Sequence, residues 1–235
     1  MKITYIHHSS FSVEINKCIL LFDYYKGNLP KFDENKKLYV FSSHSHYDHF
    51  DKAIFDLEKI HPNVTYILSN DIHVPKKDNI KFMGANERLL VDDLEIKTLE
   101  SSDLGVAFIV KVEDKTIYHA GDLNWWHWEG EEESFNLDQA TRYQHEMQQL
   151  KKTLQGKSLD LAFIPMDQRL EQDFARGVIC FCESVYAKHI VPIHFWNDFG
   201  ALKKMMQSLQ KQDFYDRIVP VAAKGLILED NPKRG

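Results

Sequence analysis

Three imidazoles and one carboxylate fall within six residues in Ser43-His44-Ser45-His46-Tyr47-Asp48-His49, directly after the apolar run Leu38-Tyr39-Val40-Phe41. His44 and His46 are two apart, so in extended chain both leave on one side and can bind one cation. Asp48 and His49 lie just beyond, where a tightening loop aims them at a second cation. Histidines crowded in this way without an ion would repel on protonation and leave ring nitrogens without partners. Borderline metals such as zinc accept imidazole nitrogen and carboxylate oxygen together. The pattern points to a metal centre rather than to a surface loop that happens to be rich in histidine.

Such a centre needs rigid strands behind it. Residues 3–7, Phe11-Ser12-Val13-Glu14-Ile15 and Ile19-Leu20-Leu21-Phe22 predict an opening antiparallel meander, with a tight turn at Asn16-Lys17. Asp51 reads as the N-cap of a helix to Ile60, whose apolar positions 53, 54, 57 and 60 recur at helical spacing. Strands are expected near 64–68, 88–91, 94–99, 105–112 and 115–119. The second half changes rhythm: a long polar helix over 136–155, strand 159–164, helix 173–187, strand 189–193, helix 198–211, and strands near 217–221 and 226–229. The fold class is α/β, without internal repeat or Pro/Gly-rich linker.

The chain has 235 residues, 43% hydrophobic and 27% charged, ample for a core and ordinary for a soluble protein. One domain over 1–235 is expected, because ligands spread along the chain can meet only if both halves pack together. No apolar stretch approaches the ~18 residues that span a bilayer. The N-terminus reads directly into strand without a signal-peptide pattern, so a cytoplasmic location is expected. Cys18, Cys180 and Cys182 are an odd number without a paired framework, which suits reduced thiols. Cys180 and Cys182 fit the buried side of a helix better than a zinc site. A net charge of −6 disfavours nucleic acid as a partner.

The His-x-His-x-Asp-His pattern resembles that of the metallo-β-lactamase superfamily. Two later segments agree in order and context: Ile117-Tyr118-His119-Ala120-Gly121-Asp122 and Ile190-Val191-Pro192-Ile193-His194. The resemblance implies a four-layer αββα sandwich, with metal ligands at strand ends along one rim. It implies His44, His46, Asp48, His49, Asp122 and His194 as ligands, Asp122 bridging the two positions. One or two divalent ions follow, zinc first, with manganese or iron as alternatives.

One expected piece is missing. The superfamily usually supplies another histidine three residues before a glycine that opens a strand. Here that slot falls on Ser102, in Glu100-Ser101-Ser102-Asp103-Leu104-Gly105. A neutral hydroxyl is a poor zinc ligand, so the first position is left with His44, His46 and the shared Asp122. Either it is completed through Asp103, or it is weak or empty while Asp103 merely caps a turn.

All four tryptophans lie within six residues of an implied ligand: Trp125, Trp126 and Trp128 after Asp122, Trp196 after His194. Either they form an aromatic wall for a small-molecule substrate, with Trp126 and Trp196 as binding residues, or they pack beneath the rim. His7, His8 and His119 read as partners of ligands, while His127 either reaches the substrate or the first metal position or is structural. Asp167 either holds a ligand histidine or pairs with Arg169.

The leading functional expectation is a metal-dependent hydrolase acting on an ester, lactone or phosphodiester. Asp48 and Asp122 would orient a water acidified by the metal. A serine or cysteine nucleophile has no support, since Gly-x-Ser-x-Gly is absent. The second expectation is a metal-binding or sensory protein with a degraded first position and little catalysis. A di-iron redox protein ranks last, because such relatives use a carboxylate where His46 stands and carry a flavodoxin domain.

Overall fold

The computed structural model describes residues 1–229; the last six positions of the expected domain lie outside the described residues. Strands β1 (Lys2–His7), β2 (Ser10–Glu14), β3 (Cys18–Phe22), β4 (Lys37–Ser42), β5 (Val64–Ser69) and β6 (Ile80–Met83) lie side by side in that order. A second sheet runs in the order β12, β11, β10, β9, β8, β7, made of β7 (Arg88–Val91), β8 (Leu94–Glu100), β9 (Val106–Val112), β10 (Lys115–His119), β11 (Leu159–Pro165) and β12 (Ala187–Ile193). Strand β13 (Gly225–Glu229) returns to pair antiparallel with β1 and completes seven strands in the first sheet. Both sheets are mixed. The first turns parallel from β3 onward, the second from β10 onward.

Side-chain parity places the core. In β3, Cys18, Leu20 and Phe22 face the second sheet, while Ile19 and Leu21 face outward into a smaller cluster. In β4, Tyr39 and Phe41 point inward and Leu38 and Val40 outward. Strands covered on both faces read as unbroken apolar runs, which is why these two segments show no alternation in sequence. Phe11, Phe22, Phe41, Phe108 and Phe163 interlock between the sheets, with ring centroids 4.8–5.9 Å apart.

Helices α1 (Glu133–Leu154) and α2 (Ala175–Ser184) cover the second sheet, α1 against β8 and α2 against β11. Tyr143, Met147, Leu150 and Leu154 form the buried stripe of α1 at helical spacing. A third helix, α3 (Phe199–Ser208), buries Leu202 and Met205. The outer layer of the first sheet holds a shorter helix than those on the second. Its helix, Lys52–Lys59, is a 3₁₀ helix, capped by the Asp51 carboxylate, which accepts from Ala53 N–H, and it packs Ile54 and Leu57 on Leu38, Val40 and Tyr66.

Two further differences stand out. Residues 217–221, expected as strand, contribute only an isolated bridge between Ile218 and Ile190. Strand β6 was not expected, because Ile80-Lys81-Phe82-Met83 is too short to give a period.

The chemistry-bearing residues share one topological position. His8 follows β1, Asp23 follows β3, His44 to His49 follow β4, Asp103 follows β8, Asp122 follows β10, Asp167 follows β11 and His194 follows β12. Loops leaving the carboxyl ends of strands therefore build the rim, where open α/β sheets place ligands.

Candidate metal centre

The loop after β4 is held rigidly. Asp23, fully buried and in a left-handed backbone conformation, accepts from Ser43 N–H at 2.7 Å and from the Ser43 hydroxyl at 2.8 Å. Past the loop's apex, His49 and Phe50 both donate their N–H to the His46 carbonyl at 3.0 Å. That turn swings Asp48 and His49 away from His46, as their spacing predicts. Two glycines let neighbouring strand ends come close: a Cβ on Gly105 would stand 2.1 Å from the Ser43 carbonyl, and one on Gly121 2.6 Å from Ser43 Cβ.

Two groups of ligand atoms result, each with its members within 4.8 Å of one another: His44, His46, Asp103 and Asp122, and beside it His8, Asp48, His49 and His194. Asp122 lies between them. Its Oδ2 is 3.5 Å from His44 Nε2, while its Oδ1 is 3.1 Å from His49 Nε2 and 3.4 Å from His194 Nε2. One oxygen faces each group.

The missing histidine is accounted for. Ser102 is buried, donates its hydroxyl to the Asn124 carbonyl at 2.7 Å and accepts from Asn124 N–H at 3.0 Å, so it ties two loops together. Its neighbour Asp103 instead faces His46 Nδ1 at 3.4 Å. Both side chains are about half exposed, 47% and 46%, so this first group is the more open of the two.

Whether these residues suit a cation can be tested on their unmet needs. His44 Nε2 and His49 Nε2 are buried, make no well-formed hydrogen bond and face oxygens of Asp122 at 3.5 and 3.1 Å. Each such atom costs roughly 1–3 kcal/mol, and both converge on one small volume. The opposite ring nitrogens are occupied: His49 Nδ1 is 2.8 Å from Asp23 Oδ2, His194 Nδ1 is 2.8 Å from Asp167 Oδ2, and His44 Nδ1 is 3.0 Å from Ser43 Oγ. A carboxylate taking the Nδ1 proton leaves the Nε2 lone pair for a metal. The donor set fits borderline divalent ions such as zinc.

Electrostatics agree. Burial opposes charge on His194, but Asp122 and Asp167 override it and raise its pKa to about 9. His49 is likewise raised well above its usual value by Asp122 and Asp23, against burial. Burial would raise Asp122, yet His49 and His194 hold it well below the carboxylate range. Burial, reinforced by His49, lowers His44 to about 4. Burial also opposes ionisation of Asp48, but His8 and His49 bring it to about 2. Asp122 thus pairs with His49 and His194, whose protons a divalent ion would replace.

The sequence pattern of the beta-lactamase superfamily domain matches residues 2–138, more than half of the chain. The chain belongs to the beta-lactamase superfamily. A UPF0173 metal-dependent hydrolase of Bacillus thuringiensis is 24% identical over 225 residues, 87% of this chain and 89% of the relative. Another, from Korarchaeum cryptofilum, is 28% identical over 133 residues, 52% of this chain and 60% of the relative, so that match spans less than two thirds of its length. Igni18, a metallo hydrolase from Ignicoccus hospitalis, shares the fold with a TM-score of 0.67 at 17% identity, covering 98% of this chain and 99% of the other.

In this superfamily member a cleft of about 530 Å³ opens over the centre. Trp126, Trp128 and Trp196 line it, together with Arg142 and Arg169. Trp126 is only 6% exposed, donates its indole N–H to the Asp122 carbonyl at 2.9 Å and stands edge-on to His194, so it packs as much as it lines. Trp196, half-buried, covers His8 and His194. Trp125 turns away towards Arg176, and His127 lies 3.8 Å from Asp173. Neither is among the cleft-lining residues. His119 stacks on Phe22 and accepts from Gly121 N–H, a packing role.

Asp167 contacts His194 and also accepts two bonds from Arg169 Nε and one from Nη2. The Arg169 guanidinium lies over the rings of Trp196 and Trp128 at 4.9 and 5.4 Å. Sequence reasoning missed Asp23. Its one signal is the position directly after an apolar strand, which Asp122 nearly shares.

Proposed function

We propose that the chain is a metal-dependent hydrolase acting on a small ester, lactone or phosphodiester. The single observation that carries this reading is the division of Asp122: one carboxylate oxygen faces each of two ligand groups whose buried ring nitrogens make no well-formed hydrogen bond. His44, His46, Asp103 and Asp122 would hold the first ion, and Asp48, His49, His194 and Asp122 the second, zinc being the best match to the donor set. Divalent ions bound there supply Lewis acidity and a water ionised near pH ~7.

The chain's own groups do the rest. Asp48, ionised throughout the neutral range, accepts a hydrogen bond from the attacking water and orients it. Asp23 and Asp167 fix His49 and His194 against rotation. Trp126, Trp128 and Trp196 narrow the cleft and exclude bulk water. Arg169, held over two of the indoles, offers a planar cation to a substrate oxygen.

The half-exposed His46 and Asp103 favour one alternative, a metal-binding or sensory protein with a weak first position. Zinc-reconstituted protein assayed on a simple aryl ester, a lactone and a bis-aryl phosphodiester separates the two. Chelator-sensitive turnover of at least one supports the hydrolase. Full zinc loading without turnover of any of them supports the alternative.

A further inference from the structure

His8 lies in the second ligand group, yet its wiring differs from that of every other histidine there. In His49 and His194 a carboxylate faces Nδ1, which therefore carries the proton and leaves Nε2 free to bind. In His8 the Nδ1 atom accepts the backbone N–H of Trp196 at 3.3 Å. A nitrogen that accepts cannot carry a proton, so the proton is on Nε2, the atom that faces the centre. That nitrogen is 3.4 Å from Asp48 Oδ2, about half an ångström beyond a closed charge-assisted bond.

The arrangement is built in from both sides. His8 has φ +54, and its own N–H donates to Tyr5 Oη at 2.8 Å and to Asn197 Oδ1 at 3.2 Å. Tyr5 in turn donates its hydroxyl to Asn197. Trp196 and Asn197 also have left-handed backbones, at +53 and +58, which aim the Trp196 N–H at the ring. The imidazole is packed between His194 and Trp196, each with its ring centroid 4.3 Å away, and is fully buried. It is not among the residues lining the cleft.

We propose that His8 is a positioning residue and not a metal ligand: its Nε2–H is directed at Asp48 and holds that carboxylate in register for the second metal position. The proposal rests on the reading of this cluster as a metal centre. It reduces the second group to Asp48, His49, His194 and the shared Asp122. It also gives the loop after β1 a purpose, since that loop reaches a residue on the loop after β4, with two strands between them in the sheet order.

Long-range ¹H–¹⁵N correlation spectra of histidine-labelled protein read the tautomers directly, with and without zinc. The expected result is a proton on Nε2 of His8 in both states, and metal-bound Nε2 with protonated Nδ1 in His49 and His194. A His8 proton on Nδ1 in the loaded protein overturns the proposal. Zinc titration supplies the second readout. His8→Ala should keep the parent's zinc stoichiometry and lose about tenfold in affinity, and His8→Gln, which retains an N–H donor, should recover much of it. His49→Ala should remove an ion outright. If His8→Ala loses an ion as His49→Ala does, His8 is a ligand and the proposal fails. A parent that binds no zinc overturns the metal reading instead, while the His8 tautomer remains readable in the metal-free protein.

Discussion

His194 Nδ1 and Asp167 Oδ2 stand 2.8 Å apart in a fully enclosed contact, and the same carboxylate takes the guanidinium of Arg169. One acidic residue thus orients a candidate metal-binding imidazole and anchors a cation at the mouth of the cleft. Asp167→Asn should cost about 10–100-fold in zinc affinity, read by competition with a coloured chelator. Unchanged affinity would mean that His194 is oriented without Asp167.

The raised pKa of His194 makes metal uptake and metal-free stability both depend on pH. A folded-state value of about 9, against an unfolded value near ~6.5, stabilises the metal-free chain fully below pH 6.5. That contribution is lost as pH rises through about 9. Zinc competes with the same proton, so its affinity should climb across this window and proton release on binding should shrink. Isothermal calorimetry in buffers of different ionisation enthalpy counts the protons. Release that does not fall between pH 7 and 9 would contradict the assignment.

Asp103, not Ser102, should complete the first position. Asp103→Ala should lower the bound zinc towards one ion per chain in elemental analysis after dialysis. Ser102→Ala should leave stoichiometry unchanged while weakening the fold by about 1–2 kcal/mol, since it leaves Asn124 backbone groups unpaired. The reverse pattern would return the slot to the serine.

Much of this cluster was legible because the spacing that would suit a metal is local. His44, His46, Asp48 and His49 come from one loop, and Asp122 and His194 end apolar strands that the sequence marks plainly. Asp103, Asp23 and His8 were harder to place, because their roles depend on how separate loops approach one another. Gly105 shows why: it matters for the 2.1 Å that a Cβ would leave to Ser43, a distance no periodicity encodes. The apolar spacing at Lys52–Lys59 likewise suits an α-helix, whereas the segment forms 3₁₀ turns.

Gly105→Ala should therefore destabilise by about 2 kcal/mol or more, from its φ of +71 and the clash together. Thermal unfolding of the metal-free protein measures it. A neutral result would mean that the loop after β8 can retreat from Ser43, and Asp103 with it.

Trp126 and Trp196 should respond differently to truncation. Trp126→Ala removes a buried ring and an indole bond to the Asp122 carbonyl, a loss of about 3–5 kcal/mol in stability. Trp196→Ala, at a half-buried position, should cost less and weaken substrate binding more. Equal destabilisation in both, with KM unchanged in Trp196→Ala, would assign both rings to packing.

The most direct measurement of the central claim is anomalous scattering at the zinc edge from crystals of zinc-loaded protein. Two peaks flanking the Asp122 carboxylate are expected, one beside His44, His46 and Asp103 and the other beside Asp48, His49 and His194. No peak within coordination distance of either Asp122 oxygen would contradict the account.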